Sequence, residues 1–317
     1  AAVTVTVEER WTLVPVPFFR SGSSGAAGGL FVLESNLFGL NKQLIGGATY
    51  GADGFGGLLV YNDPAVAGSR WLLSVSAAAG RDEVETRTPA AEQRWTYTAE
   101  RTEAGVSAGY RVSDRLSVRA GGELRFLEVT ESERPQTVAP DTYRSVSATA
   151  QAGYRDLEPE EFFSRGVSLR AGAELVPADG SWTAEATASQ DWLLFSAHRL
   201  GVRATAAAGE QPSVAEPRLG GRETQRSLLR GTVSADSFAS AGASYELPVL
   251  TPPWGTITVA GFYEGGYIVD AGAGWHGGGG GLRLYLSRIT FPALGFDVAW
   301  NVRYGYPVAS VAFGGRL

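Results

Sequence analysis

Only His198 and His276 could serve as general bases near neutral pH. A hydrolytic site would need a serine or paired acids spaced around one of them, and neither histidine has such company in the sequence. Cysteine is absent, which removes disulfides, thiolate metal sites and cysteine nucleophiles. There is no Asp-rich calcium loop and no histidine pair at ligand spacing. Glu158, Glu160 and Glu161 read as a solvated connection. Gly272-Ala-Gly-Trp-His-Gly277 formally satisfies G-x-G-x-x-G, but glycines run on to Gly281 before a strand pattern. A dinucleotide site needs a following helix to present amides to phosphate, and none follows. The expectation is a chain without catalytic residues, metal or cofactor.

A different chemistry, that of a buried ion pair, is suggested by two short motifs and one strand. Arg218-Leu-Gly-Gly221 and Leu228-Leu-Arg-Gly231 both lie in a long connection, about residues 210–237, between two segments that read as strands. Most other connections are short, so a loop of this length needs a reason. Further on, Phe262, Glu264 and Gly266 occupy every second position of one strand. Ile257, Val259 and Tyr263 supply its apolar face, so counting alone puts Glu264 on the other. An arginine fork on a carboxylate is strong and directional. Arg230 reaching Glu264 would hold the loop in place.

The elements that must position these residues alternate with period two, and no stretch is convincingly helical. Trp71, Leu73, Val75, Ala77 and Ala79 share a face. Val118, Ala120, Leu124 and Phe126 oppose Ser117, Arg119, Glu123 and Arg125; Leu169, Ala171 and Ala173 oppose Ser168, Arg170 and Gly172. The apolar face carries Ala, Val and Leu with aromatics near strand ends, among them Trp71, Tyr110, Tyr154, Trp182, Tyr245 and Tyr263. That pattern fits a lipid-facing band with interfacial girdles. The opposite face mixes Arg119, Arg125, Arg155, Arg170, Arg203, Arg283 and Arg303 with Glu123, Glu174, Glu185, Glu246, Glu264 and Asp297. Such a set suits a wet or loop-filled lumen in which most charges form structural ion pairs.

Composition agrees. The 42 glycines, with abundant Ala, Ser, Thr and aromatics, suit many strands and tight turns. No apolar run approaches the roughly 20 residues a membrane helix needs, but a barrel strand crosses in about 9–11 and shows only alternate residues to lipid. Formal charge is −6 with both signs mixed, giving no broad support for a nucleic-acid partner. The expected fold class is all-β: a closed antiparallel transmembrane β-barrel of about 16 strands, good to about two because residues 12–62 and 82–104 alternate irregularly. Residues 1–10 form a short lead and 11–317 the barrel. Methionine is missing even at position 1, which suggests numbering that starts after a signal peptide. Pro15 and Pro17 lie in the first strand and should place it at a seam or edge.

These landmarks together resemble the bacterial surface antigen superfamily of outer-membrane barrels, which includes BamA-type assembly barrels, TamA and two-partner secretion transporters. Leu219, Gly220 and Gly221, then Arg230 and Gly231, match that family's sixth extracellular loop, which folds into the lumen. Phe262, Glu264 and Gly266 resemble its Phe-x-Asp-x-Gly strand motif, with Glu in place of Asp. Tyr245-Glu-Leu-Pro248 looks like the strand after the loop. Weaker echoes are Asn36-Leu-Phe-Gly39, Asp63-Pro64 and Tyr154-Arg-Asp156. The resemblance implies a last strand paired with the first, a seam bringing Pro15 and Pro17 near Phe313 and Leu317, although the chain ends in Leu317 where the family usually has an aromatic. It also implies a Gram-negative outer-membrane location with lipid and lipopolysaccharide around the barrel. The implied role is insertion or translocation of proteins, working with periplasmic or outer-membrane protein subunits. About ten residues precede the first strand, so the expectation is a member without the periplasmic POTRA domains, served by a separate periplasmic subunit. Alternatives are a structural or anchoring barrel of a larger complex, or a diffusion pore.

Overall fold

A computed structural model describes residues 12–22, 25–52, 54–90, 92–133, 142–212, 215–220, 225–229, 233–286 and 293–313. The strands are β1 Leu13–Gly22, β2 Gly25–Leu37, β3 Lys42–Gly51, β4 Gly54–Asp63, β5 Trp71–Arg87 and β6 Gln93–Arg111. They continue with β7 Leu116–Glu133, β8 Tyr143–Pro159, β9 Ser164–Leu175, β10 Trp182–Leu194 and β11 His198–Glu210. A short pair, β12 Arg218–Leu219 and β13 Val233–Ser234, lies within the long connection. The last are β14 Phe238–Leu250, β15 Gly255–Ile268, β16 Ala273–Leu286, β17 Leu294–Asn301 and β18 Tyr306–Phe313.

Apart from β12 and β13, the strands form one closed antiparallel barrel of 16, each paired with its neighbour in sequence and β1 with β18. Closure leaves no open edge, as a strand structure in a bilayer requires. Successive connections alternate between two ends. One end, the loop rim, carries the β5–β6, β7–β8 and β11–β14 connections. The other, the turn rim, carries 38–41, 112–115, 160–163 and 195–197.

Strand parity follows the alternation read from the sequence. Trp71, Val106, Val118, Leu169, Val202, Val259, Tyr263 and Trp300 are exposed, while Thr258, Phe262, Glu264, Arg283, Asp297 and Asn301 on the opposite face are buried. The irregular stretches prove to be strands. Residues 82–104 complete β5 and β6, the longest hairpin of the barrel, whose inward Val84, Tyr97 and Ala99 form a buried cluster with Leu127 and Tyr143. The first strand is described over Leu13–Gly22.

Among the described residues, which end at Phe313, the β1–β18 pairing spans three residues. Phe19, Arg20 and Ser21 face Phe313, Ala312 and Val311, whereas every other neighbouring pair in the barrel is in register over at least eight residues, the β16–β17 and β17–β18 minimum. Pro15 and Pro17 sit inside an unbroken register with β2, opposite Val32 and Leu30. Proline has no N–H to give a ladder. A regular β1–β2 ladder therefore puts both missing donors on the other side of the strand, toward β18.

Candidate functional site: the loop anchor and the lumen wall

Each residue of the 262/264/266 motif has a separate task, and β15 aims all three at the same face. Glu264 is buried. Its Oε1 accepts hydrogen bonds from the Ser227 backbone N–H at 2.7 Å and from the Ser227 hydroxyl at 2.9 Å. Its Oε2 lies 3.6 Å from Nε of Arg226. Phe262 presents its ring to the same guanidinium, 3.7 Å from the ring centroid, a cation–π contact that suits a desolvated arginine. Gly266 makes room for the Trp275 indole: a Cβ there would fall 2.4 Å from Trp275 Cη2.

The loop is held from further directions. Asn301 Nδ2 donates to the Ser227 carbonyl at 3.1 Å. Gly277, in β16, leaves space for the Ser227 side chain, whose Cβ would stand 2.5 Å from any Cβ at 277. Leu228 has no exposed surface and packs with Leu219, Val233, Phe238, Ile268 and Trp275. The described part of the loop thus bonds to the buried face of β14–β17, the face opposite the exposed apolar band.

Among the described residues, the guanidinium beside Glu264 is that of Arg226. Arg230, Gly231, Gly221 and Leu317 lie outside the described residues. Leu219 and Gly220 lead out of β12, and Gly220 takes a left-handed φ of 110°, a conformation that favours glycine. Sequence reasoning missed Arg226 and Ser227 because the main contribution is a backbone N–H, which no side-chain pattern announces. Trp275, Gly277 and Asn301 share the inward parity of their strands, and that signal was available.

A second cluster stands at the turn rim. Arg199 Nε is 2.7 Å from Asp191 Oδ1, and its Nη1 is 2.9 Å from Glu246 Oε1. The other Glu246 oxygen accepts from Tyr285 Oη at 2.7 Å and Thr258 Oγ1 at 3.2 Å. Against Tyr285 pack Phe162 and Phe163, both almost wholly buried. They belong to the β8–β9 turn, and Tyr285 belongs to β16, five places away around the barrel. The turn therefore folds inward beneath the strands. Glu158 and Glu160 pair with Arg165 as a surface connection would, but the two phenylalanines following Glu161 were not anticipated.

Elsewhere on the inner wall Arg125 is ringed by Glu103 at 3.0 Å, Glu123 at 2.9 Å and Glu174 at 3.4 Å, and Arg283 pairs with Asp297. These are structural ion pairs of the expected kind. The histidines lie on the outward face, each bonded to a tyrosine: His198 Nδ1 to Tyr245, and His276 Nδ1 to Tyr263 at 2.6 Å. Residues 273–286 form β16, so the G-x-G-x-x-G stretch runs into a strand. Among the described residues, no group of three His, Asp or Glu side chains is placed to hold a metal ion.

A family model described as the Omp85 superfamily domain matches residues 36–313. No curated protein matches the chain by sequence. Among solved structures, BamA from Haemophilus ducreyi lacking POTRA domains 1-3 is similar at TM-score 0.72 and 14% identity, covering 96% of this chain and 71% of that one. CdiB from Escherichia coli is similar at TM-score 0.71 and 10% identity, covering 97% of this chain and 64% of that one. CdiB from Acinetobacter baumannii follows at 0.66 and 12%, covering 96% and 60%. The chain spans less than two thirds of either CdiB. Identities this low speak to the fold alone.

Proposed function

Since the chain belongs to the Omp85 superfamily and is an outer-membrane β-barrel, we propose that it inserts or translocates proteins at that membrane, with the loop anchored at Glu264 serving as a lumen plug and the β1–β18 seam as the place that opens. Clients are brought by a periplasmic protein subunit, and no catalysis is part of this reading. The observation that carries it is the seam. Its described pairing covers three residues, and Pro15 and Pro17 withhold two further donors from the side facing β18. A ladder with donors missing along one strand is easier to part than its neighbours, and a parted β1 edge can pair with an incoming strand. The barrels of BamA and the two CdiB proteins share this fold.

The test is a reversible lock. Ser21 and Val311 face each other across the seam, and the chain has no cysteine to interfere. Oxidising the Ser21→Cys/Val311→Cys pair should stop the delivery of client proteins to the outer membrane in cells relying on this variant, and reduction should restore it. Full delivery through a fully locked barrel would refute opening at the seam.

A further inference from the structure

The two sides of the lumen differ. On β14–β17 the inward residues are buried, Asp297, Asn301, Thr258 and Glu246 among them. On β7–β11 several inward residues are open to solvent: Arg155, Arg170 and Arg203 are exposed and Arg119 half-buried. Their strand neighbours Val118, Leu169 and Val202 form the outward apolar face, so these arginines reach water from the inside. The lumen beside them is wet.

Register places the four on three successive rows. Arg155, Ser168, Ser189 and Arg203 follow one another across β8 to β11; Gly153, Arg170, Thr187 and Thr205 form the next row; Arg119, Gln151, Gly172 and Glu185 the third. Taking ~4.8 Å between strands and ~6.8 Å between like-facing residues, neighbouring arginines stand roughly 8–12 Å apart at Cα. None of the four is ion-paired with a described carboxylate, in contrast to Arg125, Arg199 and Arg283 on the same inner surface. Glu185 is the carboxylate nearest in the pattern, and its Oε1 accepts from Thr187 Oγ1. Bordering arginines are engaged: Arg111 donates to the Pro64 carbonyl and Arg115 pairs with Asp156.

We propose that this arc is a binding site for a multiply phosphorylated anion. Guanidinium forks match phosphate oxygens. The hydroxyls of Ser168, Ser189, Thr187 and Thr205 line the space between them and can donate to an acceptor-only ligand. Four like charges with Glu185 as the nearest described carboxylate repel one another in the empty site, and a polyanion spanning two or more of them relieves that. Arg155 and Arg203 end one row three strands apart, roughly 14 Å at Cα, so a ligand that engages all four arginines at once carries more than one phosphate. The phosphates come either from a free polyphosphate in solution or from a phosphorylated lipid headgroup. The proposal stands apart from the protein-translocation reading and uses none of its residues.

The experiment is calorimetric titration of the purified barrel with inorganic tripolyphosphate at low ionic strength, where screening is weak, with a parallel arm using a bisphosphorylated lipid in the same detergent. Saturable binding is expected in at least one arm, and the responding arm identifies the source. The Arg170→Gln/Arg203→Gln variant should weaken it at least tenfold. Arg303→Gln, at the exposed β17–β18 turn, should leave it unchanged, and Glu185→Gln should tighten it. All four side chains are solvent-facing, and heat-modified gel mobility would verify that the variants still form closed barrels. No saturable binding in either arm overturns the proposal. So does equal binding by Arg170→Gln/Arg203→Gln and the parent, which would mean non-specific adsorption only.

Discussion

Replacing Glu264 with alanine should release the loop, and the contacts set the scale. The carboxylate accepts two hydrogen bonds from Ser227 and faces Arg226. Its removal leaves a buried N–H without its acceptor and a half-buried guanidinium without its facing carboxylate. Breaking one side of a buried charged network costs about 3–5 kcal/mol. Water entering as the loop loosens lowers this, so we take about 3 kcal/mol, which is roughly 150-fold in the opening equilibrium. Leu228 has no exposed surface, and the native chain lacks cysteine. A Leu228→Cys reporter should therefore react with a bulky maleimide only when the loop lifts. Comparing Leu228→Cys with Leu228→Cys/Glu264→Ala cancels the effect of the reporter itself, and the second should label on the order of 100-fold faster. Glu264→Gln keeps an acceptor for Ser227 but loses the charge facing Arg226, and should fall between the two. Equal labelling rates with and without Glu264 would refute the anchor.

Two further perturbations test neighbouring parts of the same assembly. Gly277→Ala puts a methyl carbon about 2.5 Å from both Ser227 Cβ and the Trp300 carbonyl oxygen; the strain should cost about 1–3 kcal/mol, seen as a lower heat-modification temperature and faster Leu228→Cys labelling. Asp236, at the base of the loop, has its carboxyl held above the ordinary range, first by burial and then by the nearby charges of Asp270 and Glu210. A raised folded-state value means that the folded loop binds the proton more tightly than the unfolded chain. That stabilising contribution is fully present below the unfolded value and is lost as pH rises through the folded one. Melting of the wild type against Asp236→Asn from acid to neutral pH should show the wild type losing ground as pH rises while the variant does not; parallel curves would count against it.

Much of the barrel was legible in the sequence because lipid and lumen impose opposite chemistry on alternate residues. The inward parity of Glu264, Asp297 and Asn301 could be counted directly. Alternation fails where that contrast fails. In the extended ends of β5 and β6, both faces carry charged groups such as Arg81, Asp82, Glu83 and Glu85, so no apolar side marks the strand. In β16 the glycines at 277–281 carry no side chain to alternate. In the anchor, the strand motif pointed to Glu264 as acceptor, while the described donors are the amide and hydroxyl of Ser227 beside Arg226, and a main-chain amide is announced by no side-chain pattern. The expectation that luminal charges pair up holds on the β14–β17 wall, around Arg125 and at Arg199, while Arg119, Arg155, Arg170 and Arg203 have no ion pair with a described carboxylate. Cross-strand register decides which, and register is not visible one strand at a time.

The inward fold of the β8–β9 turn bears on the order in which the molecule can be made. Phe162 and Phe163 have their aromatic partner on β16, near the end of the chain. Until that strand arrives, a hairpin formed early must carry two uncovered phenyl rings on a tip flanked by Glu160 and Glu161. The cluster can close only once β16 is in place, so this contact forms late in assembly. A contact so distant in sequence makes folding slow and the intermediate sticky.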